Sequence, residues 1–309
     1  MNQRKEYCIM RKILTYLIVF LLMVACTAPG NTAVEASKSD DAKDTMEQET
    51  VTEEVDLILF TGQSNMLGRD TELYQTEIPE GKAFWYSYDE EALFPVQNPV
   101  GETCLGFSKS SGSSMIPEFC AHYVEQTGHT VVCVLLANGG VPISYFSPEG
   151  NAVANMKRYM NNCQNWLEKN GYSIQHRFYV MLHGETDSSN PVNDHYAEDL
   201  LAFHHAVKEF FDYEFGALIM NGGTVGKDEK GVKIINDAKI ALAKEYDDII
   251  IASSIIPLHF FDDPSWVYGD TLNIHLTKDT IRLVGAETAD HVVKYMNDKV
   301  DPVEYLVLP

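Results

Sequence analysis

Apolar positions along the chain fall into two patterns. Val55–Phe60 and Thr130–Ala137 are almost unbroken apolar runs of six and eight residues. That is the length and character of strands covered on both faces. Shorter runs of the same kind recur at Arg177–Leu182, Gly216–Met220 and Ile249–Ser253. Between them the apolar residues take helical spacing, at Pro117–Gly128, Ala152–Asn170, Asn193–Phe211, Val232–Tyr246 and Lys278–Met296. Strand and helix in alternation predict parallel strands joined by crossover helices. The fold class expected is α/β, a three-layer α/β/α sandwich with a central parallel sheet. The stretch from Arg69 to about Ser114 follows neither pattern. Rich in aromatics, Gly and Pro, it reads as loops that shape one wall of a site.

The amino-terminal part is of a different kind. Arg4, Lys5, Arg11 and Lys12 precede an uncharged apolar run, Ile13–Val24, that is short for a membrane span and right for a signal peptide. It ends in Met23-Val24-Ala25-Cys26, which resembles a bacterial lipoprotein signal with cleavage before Cys26 and lipid on its thiol. Residues 1–25 are therefore expected to be a signal peptide. Residues 26–54, nearly devoid of large apolar side chains, cannot offset the entropy of ordering and read as a disordered acidic tether. The body is 55–309. This places the protein outside the cytoplasm, lipid-anchored to the bacterial cell membrane or secreted.

Composition narrows the partners. A formal charge of -22 over 309 residues excludes a nucleic-acid partner, which needs a basic surface. It favours a neutral ligand over a polyanion, a local basic pocket being the exception. Of six cysteines, Cys104, Cys120, Cys133 and Cys163 remain once Cys8 and Cys26 are set aside, and none shows the paired spacing of a zinc site. Outside the cytoplasm they allow one or two disulfides. Cys133, within a strand, reads equally as a small buried hydrophobe.

Candidate chemistry lies where strands end, the side on which open α/β sheets bind ligands. The first strand breaks at Gly62-Gln63-Ser64-Asn65-Met66, the second at Asn138-Gly139-Gly140, and the third at His183-Gly184-Glu185-Thr186-Asp187. Ser64 at a strand-to-helix break suits a helix cap as well as a nucleophile. Met66 stands where a Gly-x-Ser-x-Gly elbow would have its second glycine.

Gly62-Gln63-Ser64-Asn65-Met66 resembles the first block of SGNH (GDSL-like) hydrolases, in the form typical of sialic-acid O-acetylesterases and carbohydrate esterase family 6. Ala137-Asn138-Gly139-Gly140-Val141-Pro142-Ile143 is similar to their second block, which implies an oxyanion-hole amide at Gly140. His183-Gly184-Glu185-Thr186-Asp187 is similar to their Gln-Gly-Glu-x-Asp, with histidine in place of the oxyanion-donating glutamine. Asp270-Thr271-Leu272-Asn273-Ile274-His275-Leu276 looks like their Asp-x-x-His-Leu, although Leu272 occupies the aspartate position.

The resemblance implies Ser64 as nucleophile and His275 as general base. Asp270 is the nearest carboxylate to orient the ring, with Glu185, a backbone carbonyl or a bare Ser–His dyad as the alternatives. It implies an oxyanion hole of Ser64, Gly140 and His183, supported by Gln63, Asn65 and Glu185, and no metal or organic cofactor. The activity implied is removal of O-acetyl groups from carbohydrate through an acetyl-enzyme, the acetylated sugar being the partner and the lipid anchor the only tie to membrane. A glycan-binding lipoprotein that has lost catalysis is the alternative. Phe84, Trp85, Tyr86, Tyr88, Tyr145, Phe146 and Trp266 are candidates for sugar stacking or for core.

Overall fold

The computed structural model describes residues 52–189, 191–224, 228–262 and 274–299. Its seven strands are β1 (Glu53–Gly62), β2 (Ala83–Ser87), β3 (Ala92–Pro95), β4 (Thr130–Ala137), β5 (Tyr172–Leu182), β6 (Phe215–Ile219) and β7 (Ile249–Ser253). They form one sheet in the order β3-β2-β4-β1-β5-β6-β7, parallel except for the β2–β3 hairpin. The helices are α1 (Ile116–Thr127), α2 (Asn151–Lys169), α3 (Glu185–Ser188), α4 (Tyr196–Phe211), α5 (Glu229–Glu245), α6 (Ile255–Asp262) and α7 (Lys278–Asp298). None of the described helices is long and apolar enough to cross a membrane.

Why β1 and β4 read as continuous apolar runs is now plain. Leu57 and Leu59 point into the core shared with α2, α4 and α5, while Ile58 and Phe60 point into the core shared with α1 and α7. Successive strand residues face opposite sides, so a strand covered on both faces has no polar positions to spare. The three-layer sandwich expected from the pattern is the fold observed.

Two departures are instructive. The segment expected to be loop contains β2 and β3, which extend the sheet at its edge. Their aromatics serve that edge: Trp85 stacks on Phe94, and buried Tyr86 donates to Asn162 Oδ1. Phe146 is likewise buried in the core, and Trp266 lies outside the described residues. Strand β5 begins at Tyr172, five residues ahead of the apolar run, because its first half is only partly covered and carries polar residues. The four cysteines of the body are thiols. Cys120 and Cys133 face each other in the core with sulfurs 3.4 Å apart, as small apolar groups do.

Candidate active site

Strand β1 ends at Gly62, whose φ of 141° and position against β5 admit no side chain. A Cβ there would stand 2.0 Å from the Leu182 carbonyl oxygen. The chain then turns tightly: Gln63 N–H donates to Leu182 O, Leu67 N–H to Gln63 O, and Arg69 N–H to Ser64 O. Ser64 sits in this turn, 6% exposed, at the carboxyl end of the central strand. Gln63 fastens the turn to β5 by accepting from Gly184 N–H at 3.4 Å.

Asn65 does the most to assemble the site. Its Nδ2 donates to Glu185 Oε1 (2.6 Å) and to the Ile274 carbonyl (3.1 Å), and its Oδ1 accepts from Leu276 N–H (3.1 Å). One amide side chain thus holds the backbone on both sides of His275. Thr71 adds a third tie, donating to Leu276 O at 3.0 Å. Immediately after, Thr277 caps α7 by accepting from Thr280 N–H, so His275 sits between a clamp and a capped helix start. Although more than 200 positions apart in sequence, the serine turn and the histidine loop are one hydrogen-bonded unit.

His275 is 8% exposed, and its Nδ1 lies 2.9 Å from Asp70 Oδ2, close though off the line of a regular hydrogen bond. Asp70 is a residue that the motif reading missed. It stands in left-handed conformation (φ 58°) at the end of the serine turn, in a stretch read only as loop. The one available signal was its place six residues after Ser64. Asp270, the carboxylate expected for this role, lies outside the described residues, as does Leu272.

Gly139 packs directly over the serine. A side chain there would come within 3.9 Å of Ser64 Cβ and 3.1 Å of the Arg69 guanidinium. Its own N–H is occupied by Asn138 Oδ1 at 3.0 Å, while Gly140 follows at φ 68° at the exposed tip of the loop. The loop is braced from below, since Asp187 Oδ2 accepts from Ile143 N–H at 3.0 Å.

His183 belongs to that bracing. It is fully buried, and its Nε2 is 3.0 Å from the Val141 carbonyl, which can only accept, so the proton lies on Nε2. Nδ1 faces Tyr196 Oη at 3.4 Å. Burial, reinforced by the Lys239 charge, pushes its pKa down to about 3 and keeps the ring neutral. A neutral imidazole has one N–H. Here it is committed to Val141, which leaves no donor for an oxyanion, against the expectation drawn from the glutamine of the related motif.

Behind the site runs a buried polar network. Lys239 Nζ donates to His183 O (2.6 Å), Ile219 O (2.9 Å) and Asn221 Oδ1 (3.0 Å). Burial lowers its pKa to about 7, opposed by Glu185 and Asp187. Burial raises the pKa of Glu185, and its Oε2 has no hydrogen-bond partner among the described residues. Its structural work is done through Oε1, which anchors the Asn65 clamp.

An open cleft of about 340 Å³ adjoins Ser64 and is lined by Arg69, Asp70, Ser108, Lys109, Asn138 and Gly139. Two cations stand at its wall on a chain of strongly negative charge. Tyr145 reaches its rim through Asn138, whose Nδ2 lies 3.4 Å from the phenol oxygen.

The chain is similar to several solved structures. A protein from Arabidopsis thaliana superposes with a TM-score of 0.55 at 13% identity, over 79% of this chain and 98% of its own. A carbohydrate acetylesterase from Xanthomonas citri gives 0.47 at 14% identity, over 78% of this chain and 56% of its own. NanS gives 0.47 at 10% identity, over 79% and 98%. No curated protein matches the chain. The model of the carbohydrate esterase family of sialic acid-specific acetylesterases matches residues 54–294, from the first residues of β1 to the last turns of α7, and the chain belongs to that family.

Proposed function

We propose that the protein removes acetyl groups from an acidic sugar by a serine mechanism in which Ser64 is the nucleophile, His275 the base and Asp70 its orienting carboxylate. The observation that carries this reading is the clamp of Asn65 across Ile274 and Leu276, which ties the base to the serine turn. The role given to Asp70 rests on its Oδ2 lying 2.9 Å from His275 Nδ1.

The steps follow. The Ser64 hydroxyl gives its proton to His275 Nε2 as Oγ bonds to the acetyl carbon. The carbonyl oxygen becomes an oxyanion, held by the backbone N–H groups of Ser64 and Gly140. The C–O bond to the sugar breaks, and the sugar oxygen takes the proton from the imidazolium. Water then gives a proton to His275 as its oxygen bonds to the acetyl carbon; the bond from that carbon to Oγ breaks, Oγ takes the proton back from the imidazolium, and acetic acid leaves to ionise as acetate. The chain's own groups supply every proton transfer.

The substrate class is supported by Arg69 and Lys109 in the cleft beside Ser64. A carboxylate-bearing sugar such as acetylated sialic acid finds a charge partner there that a neutral xylan lacks. The Arg69 guanidinium is close enough to Gly139 to place such a carboxylate within reach of the nucleophile.

The test is hydrolysis of p-nitrophenyl acetate, acetylated sialic acid and acetylated xylan by wild type, Ser64→Ala, His275→Ala and Arg69→Ala. Either catalytic variant should lose at least about a thousandfold in kcat/KM on every ester. Arg69→Ala should lose about tenfold on the sialic ester alone, mainly in KM. Wild type no faster than Ser64→Ala would end the esterase mechanism. Equal use of xylan and sialic esters would end the acidic-sugar assignment.

We also propose export with lipid on Cys26, on the strength of the basic and apolar stretch that precedes it. Cys26→Ser should move the protein from the membrane fraction to the soluble one; continued membrane retention would remove the lipid anchor from the picture.

A further inference from the structure

The end of the sheet opposite Ser64 carries a second cluster of chemistry. Asp56 in β1, His129 in the turn before β4 and His176 in β5 each bring a donor atom within 4.8 Å of the other two. Sequence spacing conceals the cluster, since its members come from three separate segments. The sheet register creates it. Val55 pairs with Ile174 and Leu57 with Arg177, so a bulge sets both Gln175 and His176 opposite the single residue Asp56. Bulges of this kind re-aim side chains.

Asp56 is 1% exposed. Its Oδ2 accepts from Tyr123 Oη at 2.7 Å and lies 2.8 Å from His129 Nδ1, yet its Oδ1 is buried with no hydrogen-bond partner among the described residues. Leaving a carboxylate oxygen in that state is costly. A protonated His129 would answer Oδ2 and leave Oδ1 as it is.

The histidine rings lie parallel, 3° apart in plane with centroids at 5.8 Å. His176 Nδ1 is 2.8 Å from Glu214 Oε1, a carboxylate oxygen that can only accept, which fixes the proton on Nδ1 and leaves a lone pair on Nε2. Backing an imidazole with a carboxylate in this way is how metal-binding histidines are held in one tautomer. Both rings reach solvent, with side-chain exposures of 43% for His129 and 34% for His176. Glu53 and Glu54 line a cleft of about 340 Å³ together with Asp56 and His129. Lys82 lines it too, but its ammonium donates to the Gly128 carbonyl at 2.7 Å.

We infer that Asp56, His129 and His176 form a binding site for one divalent transition-metal ion of the zinc class. Two imidazole nitrogens and one carboxylate oxygen suit zinc, cobalt, nickel or copper; calcium and magnesium take oxygen donors. Water completes the coordination from the open side. The ion satisfies the stranded Asp56 oxygen and ties β1, β4 and β5 together at the end remote from the ester chemistry.

The experiment titrates zinc and cobalt into the purified full chain and into His129→Gln, His176→Gln and the double variant, by calorimetry and thermal unfolding. Near-ultraviolet circular dichroism checks that each variant is folded. Wild type should bind one ion with a raised Tm, each single variant should bind at least about tenfold more weakly, and the double variant should show neither effect. Cobalt should give the visible spectrum of a nitrogen- and oxygen-ligated ion in wild type only. Absence of saturable binding in wild type, or binding undiminished in the double variant, would overturn the assignment.

Discussion

The two ends of β1 each hold a histidine beside an aspartate at almost the same separation, 2.9 Å at His275–Asp70 and 2.8 Å at His129–Asp56. What differs is which partner is buried. Beyond the carboxyl end the histidine is sheltered, at 10% side-chain exposure, and the aspartate stands open at 57%. Near the amino end the aspartate is sheltered, at 1%, and the histidine open at 43%. A sheltered, clamped imidazole is held in a fixed direction, which suits the general base proposed for Ser64. A sheltered carboxylate beside open imidazoles suits the ligand set inferred at the other end. The two proposals differ because the fold fixes opposite members of the pair.

The comparison breaks most severely if the sheltered histidine is released. Asn65→Ala removes both ties to the His275 backbone together with the Glu185 contact. Two backbone hydrogen bonds at about 1–1.5 kcal/mol each correspond to a loss of roughly a hundredfold in kcat/KM. Thermal unfolding distinguishes a loosened base from a ruined fold, since the sheet does not depend on Asn65. A variant retaining full activity would show that the clamp is incidental and that burial alone positions His275.

His183 offers a third arrangement, a fully buried histidine whose Nδ1 lies 3.8 Å from the equally buried Asp187 Oδ2. Burial holds its pKa near 3 instead of the ordinary 6.5. Between those values the unfolded chain binds a proton that the native protein refuses, so its contribution is whole above pH 6.5 and is lost as the pH falls. At pH 5 the loss is roughly 2 kcal/mol, or about 4–8 °C in Tm. His183→Gln, which keeps a donor for the Val141 carbonyl, should lessen the fall in Tm between pH 7.5 and pH 5 by that amount. Glu185, raised by burial, works in the opposite direction, but it is present in both proteins. Equal slopes for the two would mean that His183 is protonated in the fold, with a second N–H free to donate to an oxyanion.

How far the sequence disclosed these arrangements depended on the range of the interactions. β4 and β7 fell where their apolar runs placed them, because a doubly covered strand leaves its full length in the pattern. The hairpin β2–β3 was hidden, since an edge pair is half exposed and its aromatics resemble those of a binding loop. Ser64, Gly140 and His275 stood out through local motifs. Asp70 and the Asp56 cluster were not, because what matters there is a turn geometry and a bulge in register, and neither leaves a residue signature along the chain. His183 was visible as a departure, but its meaning depended on the Val141 carbonyl, a contact made 42 positions away.

The smallest effect expected is the one that tests the open member of the catalytic pair. Asp70→Asn preserves size and removes the charge facing His275 Nδ1. A buried carboxylate in this role is worth about four orders of magnitude in rate. Asp70 is more than half exposed and its attraction passes partly through water, so about a tenfold loss in kcat is expected. Screening supplies a readout that a purely structural role would not move. In wild type, raising the salt concentration to about 1 M, where charges are screened within roughly 3 Å, should depress the rate, while Asp70→Asn should respond far less, so the gap between them narrows. If the two enzymes are equally fast at low salt, Asp70 is a bystander and the base works without an acid at this position. If both lose rate in parallel with salt, the sensitivity lies in charges other than Asp70, such as Arg69 and Lys109 in the cleft, and the symmetry between the two ends of β1 is one of distance alone.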